Sequence, residues 1–410
     1  MTRTGVHRGS NRGFRFWRAL PALAWLGAAV PAAGQSLFAT RGMGVPVPAV
    51  DARARALGGI GIGLLGFHTS IVNPAEIAGL SRRGVSASLQ PLSATSEVEG
   101  QSGNYSGARF PGIRILYPLS PRLTTSLGYG ALLEQSWGIE IEHRELVGPD
   151  SVDVRDVIES TGGVAQLSLA AGWAASSFAL GVAAGMYTGN LDRRVSRTFE
   201  DTAAALVPFD SRLRWRFKGP FAAVGARFDL GGWARVGASV TTGGSLDVEG
   251  LEDDARDDET TLPTRIAAGA SALLSSQWLV TAGAEWAGAG SAPERVFSAG
   301  DAIALRRNTW RVGGGAEYAG IQSARRSYPL RIGGSYAELP YYNLGESPAA
   351  EWSTSLGMGF RLAGDAAVPL AVADVTLERG GRSGLETSLR PGGLTESFWR
   401  FTFTLSLFGQ

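Results

Sequence analysis

The sequence predicts an all-β chain: a transmembrane antiparallel β-barrel of about fourteen strands, preceded by an N-terminal segment of different character. Short segments alternate between apolar and polar residues with a period of two, the pattern of strands whose two faces meet different surroundings. Aromatic residues mark both ends of several apolar faces. The connections between the segments are alternately short and long, as in outer-membrane barrels with short periplasmic turns and long external loops.

The aromatic spacing separates a membrane barrel from a soluble β-sandwich, which would also alternate. Trp278 and Trp286 lie on one face, eight residues apart, and so do Trp310 and Tyr318. Eight steps of about 3.3 Å span roughly 26 Å along a strand, or about 20 Å in height at a tilt of about 40°. This height matches the apolar band between two aromatic girdles, which a soluble sandwich does not need.

Fourteen candidate strands follow from the alternation. They lie near residues 84–98, 106–119, 122–143, 154–175, 177–199, 207–230, 233–248, 262–275, 278–288, 307–319, 329–337, 350–363, 368–379 and 395–408. The longer polar connections lie at 144–153, 200–206, 249–261, 289–306, 338–349 and 380–394. An even number of strands places both termini on the periplasmic side.

The chain divides into three parts. Residues 1–34 are typical of a cleaved export signal, with five arginines, an apolar core from Ala19 to Val30 and a small-residue site before Gln35. The alternative, a membrane anchor, is disfavoured because the apolar run is shorter than the roughly 20 residues that a spanning helix needs. Residues 35–83 do not alternate and form either a plug or a loose extension, and residues 84–410 form the barrel.

Composition argues against several classes of function. The net charge of +1 gives no reason to expect nucleic acid as a partner, and the lack of cysteine removes thiol chemistry. His68 and His143 are the two histidines after the signal, and neither has the partners of a catalytic base, so we expect no enzyme and no cofactor. The acidic run from Glu249 to Glu259 lacks a calcium-loop pattern and is expected to be a solvated external loop, so no metal site is predicted.

Two charged strand faces are candidates for the lumen. Arg212, Arg214, Arg216 and Lys218 alternate with apolar residues on one strand, and Glu140 and Glu142 share a face of another. If these faces point inward, they form either a network of salt bridges near the outer rim or a site for a substrate carboxylate, which arginine binds through its two-pronged fork.

Short motifs resemble the FadL family of outer-membrane transporters. The stretch Ala52-Arg53-Ala54-Arg55-Ala56-Leu57-Gly58-Gly59 and the following Asn73-Pro74-Ala75 are similar to the start of that family, although Glu76-Ile77 stands where the family has glycine. The stretch from Leu262 to Gly269 and the closing run from Phe398 to Leu407 are also similar. One branch of this wider group resembles PorV, a secretion-system component.

The resemblance implies a bacterial outer-membrane barrel, plugged by an N-terminal hatch, for passive uptake of hydrophobic small molecules such as long-chain fatty acids. The alternative that it leaves open is a PorV-like structural role. The implied partners are outer-membrane lipid, a hydrophobic small-molecule ligand and the barrel-assembly machinery. The substrate would leave through a gap beside a kinked third strand, for which Gly128 and Gly130 are candidates. The expected hatch residues are Asn73, Pro74, Ala75, Ile77 and Leu80, with Asn73 capping a short helix that begins at Pro74.

Overall fold

The computed structural model describes residues 36–40, 43–98, 100–147, 150–199, 206–290, 307–322, 327–340, 349–364, 369–384 and 393–409. The predicted export signal, residues 1–34, lies outside the described residues. Among the described residues, no helix is long and apolar enough to cross a membrane.

The strands follow one another as antiparallel neighbours. They are β1 (Val45–Pro46), β2 (Gly84–Val98), β3 (Gln101–Pro118), β4 (Leu123–Glu134), β5 (Trp137–Val147), β6 (Asp150–Ala174), β7 (Phe178–Phe199), β8 (Phe209–Leu230), β9 (Ala234–Thr241), β10 (Gly244–Gly250), β11 (Asp258–Leu262), β12 (Arg265–Leu273), β13 (Trp278–Ala287), β14 (Thr309–Gln322), β15 (Ser327–Glu338), β16 (Ala350–Gly364), β17 (Pro369–Gly384) and β18 (Leu394–Phe408). The helical pieces are short: α1 (Ala52–Ala56) and two 3-10 helices, Leu37–Thr40 and Pro74–Ile77.

The sheet closes into a barrel of fourteen strands, as the sequence predicts. Three barrel strands are interrupted, so that β4 with β5, β9 with β10, and β11 with β12 each act as one strand. Closure joins the last strand to the first, with Phe408 opposite Gly84 and Leu394 opposite Val98. Every barrel strand pairs with a neighbour on each side over at least part of its length, and such closure satisfies the backbone groups of a sheet in lipid.

The two faces of the barrel differ as the alternation predicts. On β18, Trp399 and Phe401 are exposed on the outer face, whereas Arg400 and Thr402 are buried on the inner face. The aromatic residues pair across strands at both heights: Trp278 lies opposite Tyr318, with ring centroids 5.0 Å apart, and Trp286 lies opposite Trp310. An apolar outer wall with aromatic rims is typical of a barrel that spans a membrane.

Two connections are shorter than the sequence predicts. β3 begins at Gln101, whereas the predicted strand begins near residue 106, and β5 and β6 continue through most of the predicted loop 144–153. Exposed ion pairs such as Arg144 with Asp153 join β5 to β6 there. Charged residues on both strands masked the strand pattern, because the prediction took polar runs as loops.

The described part of the N-terminal segment lies against the inner wall. Helix α1 contacts β15, β16, β17 and β18, and the 3-10 helix Pro74–Ile77 contacts β6, β7 and β8. Most of its apolar side chains are buried, including Phe38, Val45, Leu57 and Ile62. The described part of the segment thus packs against strands on two sides of the barrel.

Candidate functional site: an opening in the barrel wall

The wall opens between the second and third barrel strands. β3 pairs with β4 only where residues 112–118 face residues 124–130. Beyond that point, residues 101–109 of β3 pair with β2 alone, and β5 pairs with β6 alone. The two neighbouring strands therefore separate toward the end of the barrel that carries the long loops.

The third strand breaks at Gln135 and Ser136, between β4 and β5. On the neighbouring strand, Gly162 and Gly163 have φ values of +133° and +153°, which only glycine adopts easily, and the Gln135 N–H donates to the Gly162 carbonyl at 2.9 Å. The predicted kink residues are Gly128 and Gly130, but these lie in regular pairing opposite Arg114 and Gly112.

The glycines with positive φ beside the break are on β6, and Gly130 is the last residue of β4 that pairs with β3. Gly128 and Gly130 instead make room for the N-terminal segment. A Cβ at Gly130 would lie 2.8 Å from Ala49 Cβ, and one at Gly128 would lie 3.3 Å from Ile71 Cδ1.

The N-terminal segment supplies hydrogen-bond partners where β4 leaves β3. Val45 lies opposite Glu134 in an antiparallel pair, and Val47 N–H donates to the Leu132 carbonyl at 2.8 Å. Backbone groups without water or a partner are costly in a membrane. The two-residue strand β1 therefore stabilises the edge of the opening from the inside.

A cavity of about 740 Å³ lies at the opening. Its lining is mostly apolar and includes Val47, Leu89, Phe110, Ile113, Tyr129, Leu133, Val164 and Phe403. Ile113 and Tyr129 are exposed on the outer face, whereas Val164 is buried inside. The cavity thus reaches through the wall, and its size suits a small ligand.

An apolar cluster inside the barrel adjoins this cavity. The cluster comprises Val164, Tyr187, Leu191, Trp215, Phe217, Phe221, Leu246, Val248, Ala255 and Leu262, with Met43, Leu132, Leu133 and Leu213 packed against it. Val164 and Leu133 belong to both the cluster and the cavity lining. Apolar surface therefore continues from the interior into the wall opening.

One ion pair spans the opening. Arg109 on β3 donates from Nη1 to Glu134 Oε2 on β4 at 3.2 Å and from Nε to Gln90 Oε1 at 2.6 Å. Both charged side chains line the cavity, and the Arg109 side chain is only 6% exposed. The pair joins the two strands where their backbones no longer do.

Buried ion pairs hold α1 against the wall. Arg53 donates from Nε and Nη2 to the two carboxylate oxygens of Glu317, at 2.9 and 3.1 Å, and Glu317 also pairs with Arg331. Although burial disfavours its charge, the facing Glu317 raises the pKa of Arg53. Arg55 lies 3.6 Å from Glu378. Sequence reasoning missed these roles.

The other predicted hatch residues lie on the opposite side of the lumen. The Ala75 N–H donates to Asn73 Oδ1 at 2.9 Å, which makes Asn73 the N-cap of the 3-10 helix, with Pro74 at its first position. Ile77 packs with Leu116 and Ala170, and Leu80 packs against the same cluster.

Glu76, the departure from the family motif, is buried beneath this helix. Its Oε1 accepts from Gly63 N–H at 2.8 Å, and its Oε2 lies 3.4 Å from His68 Nε2 and 3.8 Å from Arg235 Nη1. Burial opposes ionisation, but the contact with His68 and these further partners hold the pKa of Glu76 below its ordinary value. Glu76 therefore links the helix to β9 and to the preceding loop.

The charged faces predicted for the lumen lie on the outside. Trp215 and Phe217 are buried in the apolar cluster, and this requires the alternating cations of β8 to face outward. Each is exposed and has a carboxylate partner: Arg212 with Asp192, Arg214 with Glu252, and Arg216 and Lys218 with Glu249. This placement does not fit a lumen carboxylate site at these residues.

The acidic strand face is likewise external. Glu140 is exposed and accepts from Arg155 Nε at 2.5 Å, and Glu142 is also exposed. Among the described residues, no three histidine or acidic side chains form a group that could hold a metal ion.

The sequence pattern does indicate which charged residues face the lumen. Glu317 and Arg400 occur on the polar side of strands with an apolar outer face, as the alternation shows. The sequence could not show that Glu317 meets Arg53, because 264 positions separate them.

Solved structures show a similar barrel, whereas sequence comparison finds no relative. No protein-family model matches the chain, and no curated protein matches it significantly. A Pseudomonas aeruginosa FadL homologue aligns with a TM-score of 0.55 and 14% identity, over 89% of this chain and 99% of that one. The Ralstonia pickettii toluene transporter TbuX gives 0.55 and 15% identity over 89% and 99%, and the P. putida toluene transporter TodX gives 0.53 and 14% over 90% and 99%. The chain has the FadL-like barrel fold.

Proposed function

We propose that this protein is an outer-membrane channel for passive uptake of hydrophobic small molecules. The observation that carries the proposal is the apolar cavity of about 740 Å³ that reaches through the wall where β3 and β4 separate. A hydrophobic molecule gains free energy by moving from water onto apolar surface, about 25 cal/mol for each Å² that is buried. The route would lead from the interior cluster into the cavity and then sideways into the membrane.

The N-terminal segment would act as the hatch that excludes a straight aqueous path. Its backbone touches wall glycines: a Cβ at Gly237 would lie 3.0 Å from Gly63 N, and one at Gly172 would lie 2.9 Å from Ala78 N. At these two glycines the segment lies too close to the wall for a water molecule between them. The similarity in fold to a FadL homologue and to toluene transporters supports this proposal.

A blocking variant tests the route. Ala165 lines the cavity and is buried, so Ala165→Trp should fill part of it. Ala222→Trp, at an exposed position that does not line the cavity, is the matched control. We expect labelled dodecane, 2-dodecanone or laurate to enter cells that carry the wild type or the control, and uptake to fall at least tenfold with Ala165→Trp. Uptake that does not depend on the protein would contradict the proposal.

The second candidate is a PorV-like structural role. Purification in mild detergent distinguishes the two: a barrel that always co-purifies with another envelope protein and takes up none of the three probes would favour the structural role. No contact in the described residues specifically favours it, so transport is the leading proposal.

A further inference from the structure

The cavity in the wall opening lies at the depth of the membrane's hydrocarbon core. On β18, Phe403 lines the cavity, and Phe401 and Trp399 are exposed on the outer face farther toward the long loops. Trp399 is roughly 13 Å along the strand from Phe403. On β3, Phe110 lies roughly 18 Å in height from the exposed Tyr117, near the opposite, short turn. The apolar outer wall therefore continues above and below the cavity, where acyl chains of the lipid surround it.

The mouth of the cavity faces this lipid, and its other end faces the lumen. Ile113 and Tyr129 line the cavity and are exposed on the outer wall. Leu133 also lines it but packs against the apolar cluster inside the barrel, and Val47 belongs to the N-terminal segment. One mostly apolar surface therefore connects the bilayer with the interior.

A hydrocarbon chain fits this surface better than water does. A buried water molecule needs roughly two to four polar partners, and most of the lining is apolar. The charged pair at the cavity, Arg109 and Glu134, is already joined. An acyl chain that enters from the bilayer exchanges one apolar environment for another, so it loses no hydrophobic free energy. Because lipid surrounds the opening in large excess, mass action favours its entry.

We propose that an acyl chain of a membrane lipid occupies the wall opening and extends through it to the interior side at Leu133 and Val47. The chain closes the gap between β3 and β4 to water and ions, because it fills the space where the two strands no longer pair. A hydrophobic molecule passes by exchanging places with it. This inference goes beyond the proposed uptake, since lipid occupies the site whether or not the protein transports a substrate.

Photo-crosslinking to lipid tests the occupancy. The full-length protein is reconstituted in nanodiscs whose phospholipid carries a diazirine near the end of one acyl chain, and the adducts are located by mass spectrometry after illumination. Leu356, which is exposed on the outer face of β16, touches lipid in any case and is the reference. We expect labelling of Leu356 and, in addition, of Leu133 and the stretch around Val47.

A variant that fills the mouth distinguishes a chain inside the cavity from lipid on the outer wall. Ala165 lines the cavity, so Ala165→Trp should lower the labelling of Leu133 and Val47 at least tenfold, while that of Leu356 stays constant. Ala222→Trp adds the same side chain at an exposed position outside the cavity and should lower neither. A heat-modifiable gel shift shows that each variant has formed a barrel.

The outcomes for the lipid site and for transport are separate. Labelling confined to outer-wall residues such as Leu356 and Tyr129 overturns the lipid site, and so does interior labelling that Ala165→Trp leaves unchanged; the transport proposal stands in both cases. A protein that takes up no hydrophobic probe but is labelled at Leu133 and Val47 contradicts transport and supports the lipid site.

Discussion

At the residue scale, glycine sets how closely the N-terminal segment approaches the wall. Gly181 on β7 faces inward between the exposed Leu180 and Val182, and a Cβ there would overlap the backbone of Pro74 and Ala75. Gly225 on β8 leaves the equivalent space for the Asn73 side chain. Glycines that look like ordinary small residues in the strand pattern are thus contact points between two layers of the molecule.

A single methyl group should therefore displace the segment. We expect Gly181→Ala to weaken the packing of the 3-10 helix against β7 by about 1–3 kcal/mol, the usual cost of overpacking. Steady ion conductance should appear in planar bilayers, while the heat-modifiable gel shift persists. Gly103→Ala, where a Cβ would meet nothing within 4 Å, is the control. A Gly181→Ala channel as silent as the control would contradict the close packing.

The Asn73 cap could be predicted from sequence because its partner is two residues away. The Asn-Pro signal needs only local geometry, and the structure shows the bond from Ala75 N–H to Asn73 Oδ1. The orientation of Arg212 and Glu140 could not be predicted in the same way. Their strands alternate equally well with either face inward, and only the packing of Trp215 and Phe217 with the rest of the cluster decides between the two.

At the scale of elements, α1 depends on ion pairs more than on its own helix. It has only five residues, too few to be stable alone, and Asp51 caps it through Ala54 N–H at 2.8 Å. The bidentate ion pair of Arg53 with Glu317 lies inside the barrel. Arg144 and Asp153 form a bidentate pair of the same geometry, but this pair is exposed on the hairpin of β5 and β6. The side chains of that second pair are 67% and 50% exposed.

The two bidentate ion pairs should therefore differ in how much they stabilise the protein. Arg53→Ala leaves Glu317 with Arg331 as its remaining partner, and the loss of hydrogen bonds to this largely buried carboxylate should cost about 1–3 kcal/mol. Arg144→Ala should have a much smaller effect, because water screens an exposed pair. Hydrogen exchange of α1 in detergent measures the first effect and that of β5 the second. Equal effects on exchange would show that burial does not determine the strength of these pairs.

At the scale of the whole molecule, closure is the property that the alternation predicts best. Successive residues of a barrel strand face the lipid and the lumen in turn, so each strand appears in the sequence as an alternating segment. Counting these segments gives the number of strands. The opening does not follow from it. The sequence of the third strand continues past Gln135 without a break in character, and the segments that pair with β4 beside the opening, β1 and β6, are distant from β3 in the sequence.

Closure also gives a clear prediction. Deleting Phe398–Gln410 removes most of β18, which bonds β17 on one side and β2 on the other. The remaining sheet would expose two unpaired edges to lipid, and we expect no heat-modifiable barrel and no membrane assembly.

Deleting residues 36–80 should instead leave a barrel that assembles and conducts small ions. Normal assembly of the first deletion, or a second deletion as silent as the intact protein, would contradict this division of roles.

The placement of α1 limits the order in which the protein can fold. Its contacts are with the last four strands, so residues near position 54 wait for strands that begin at Ser327 or later. The Ala52 N–H, for example, donates to Thr404 Oγ1, 352 positions along the chain. Contacts so distant in sequence form slowly. Because β18 also pairs with β2, the contacts of α1 with β18 can form only when the ring is nearly complete. We expect residues 43–83 to stay sensitive to protease until the final strand is in place.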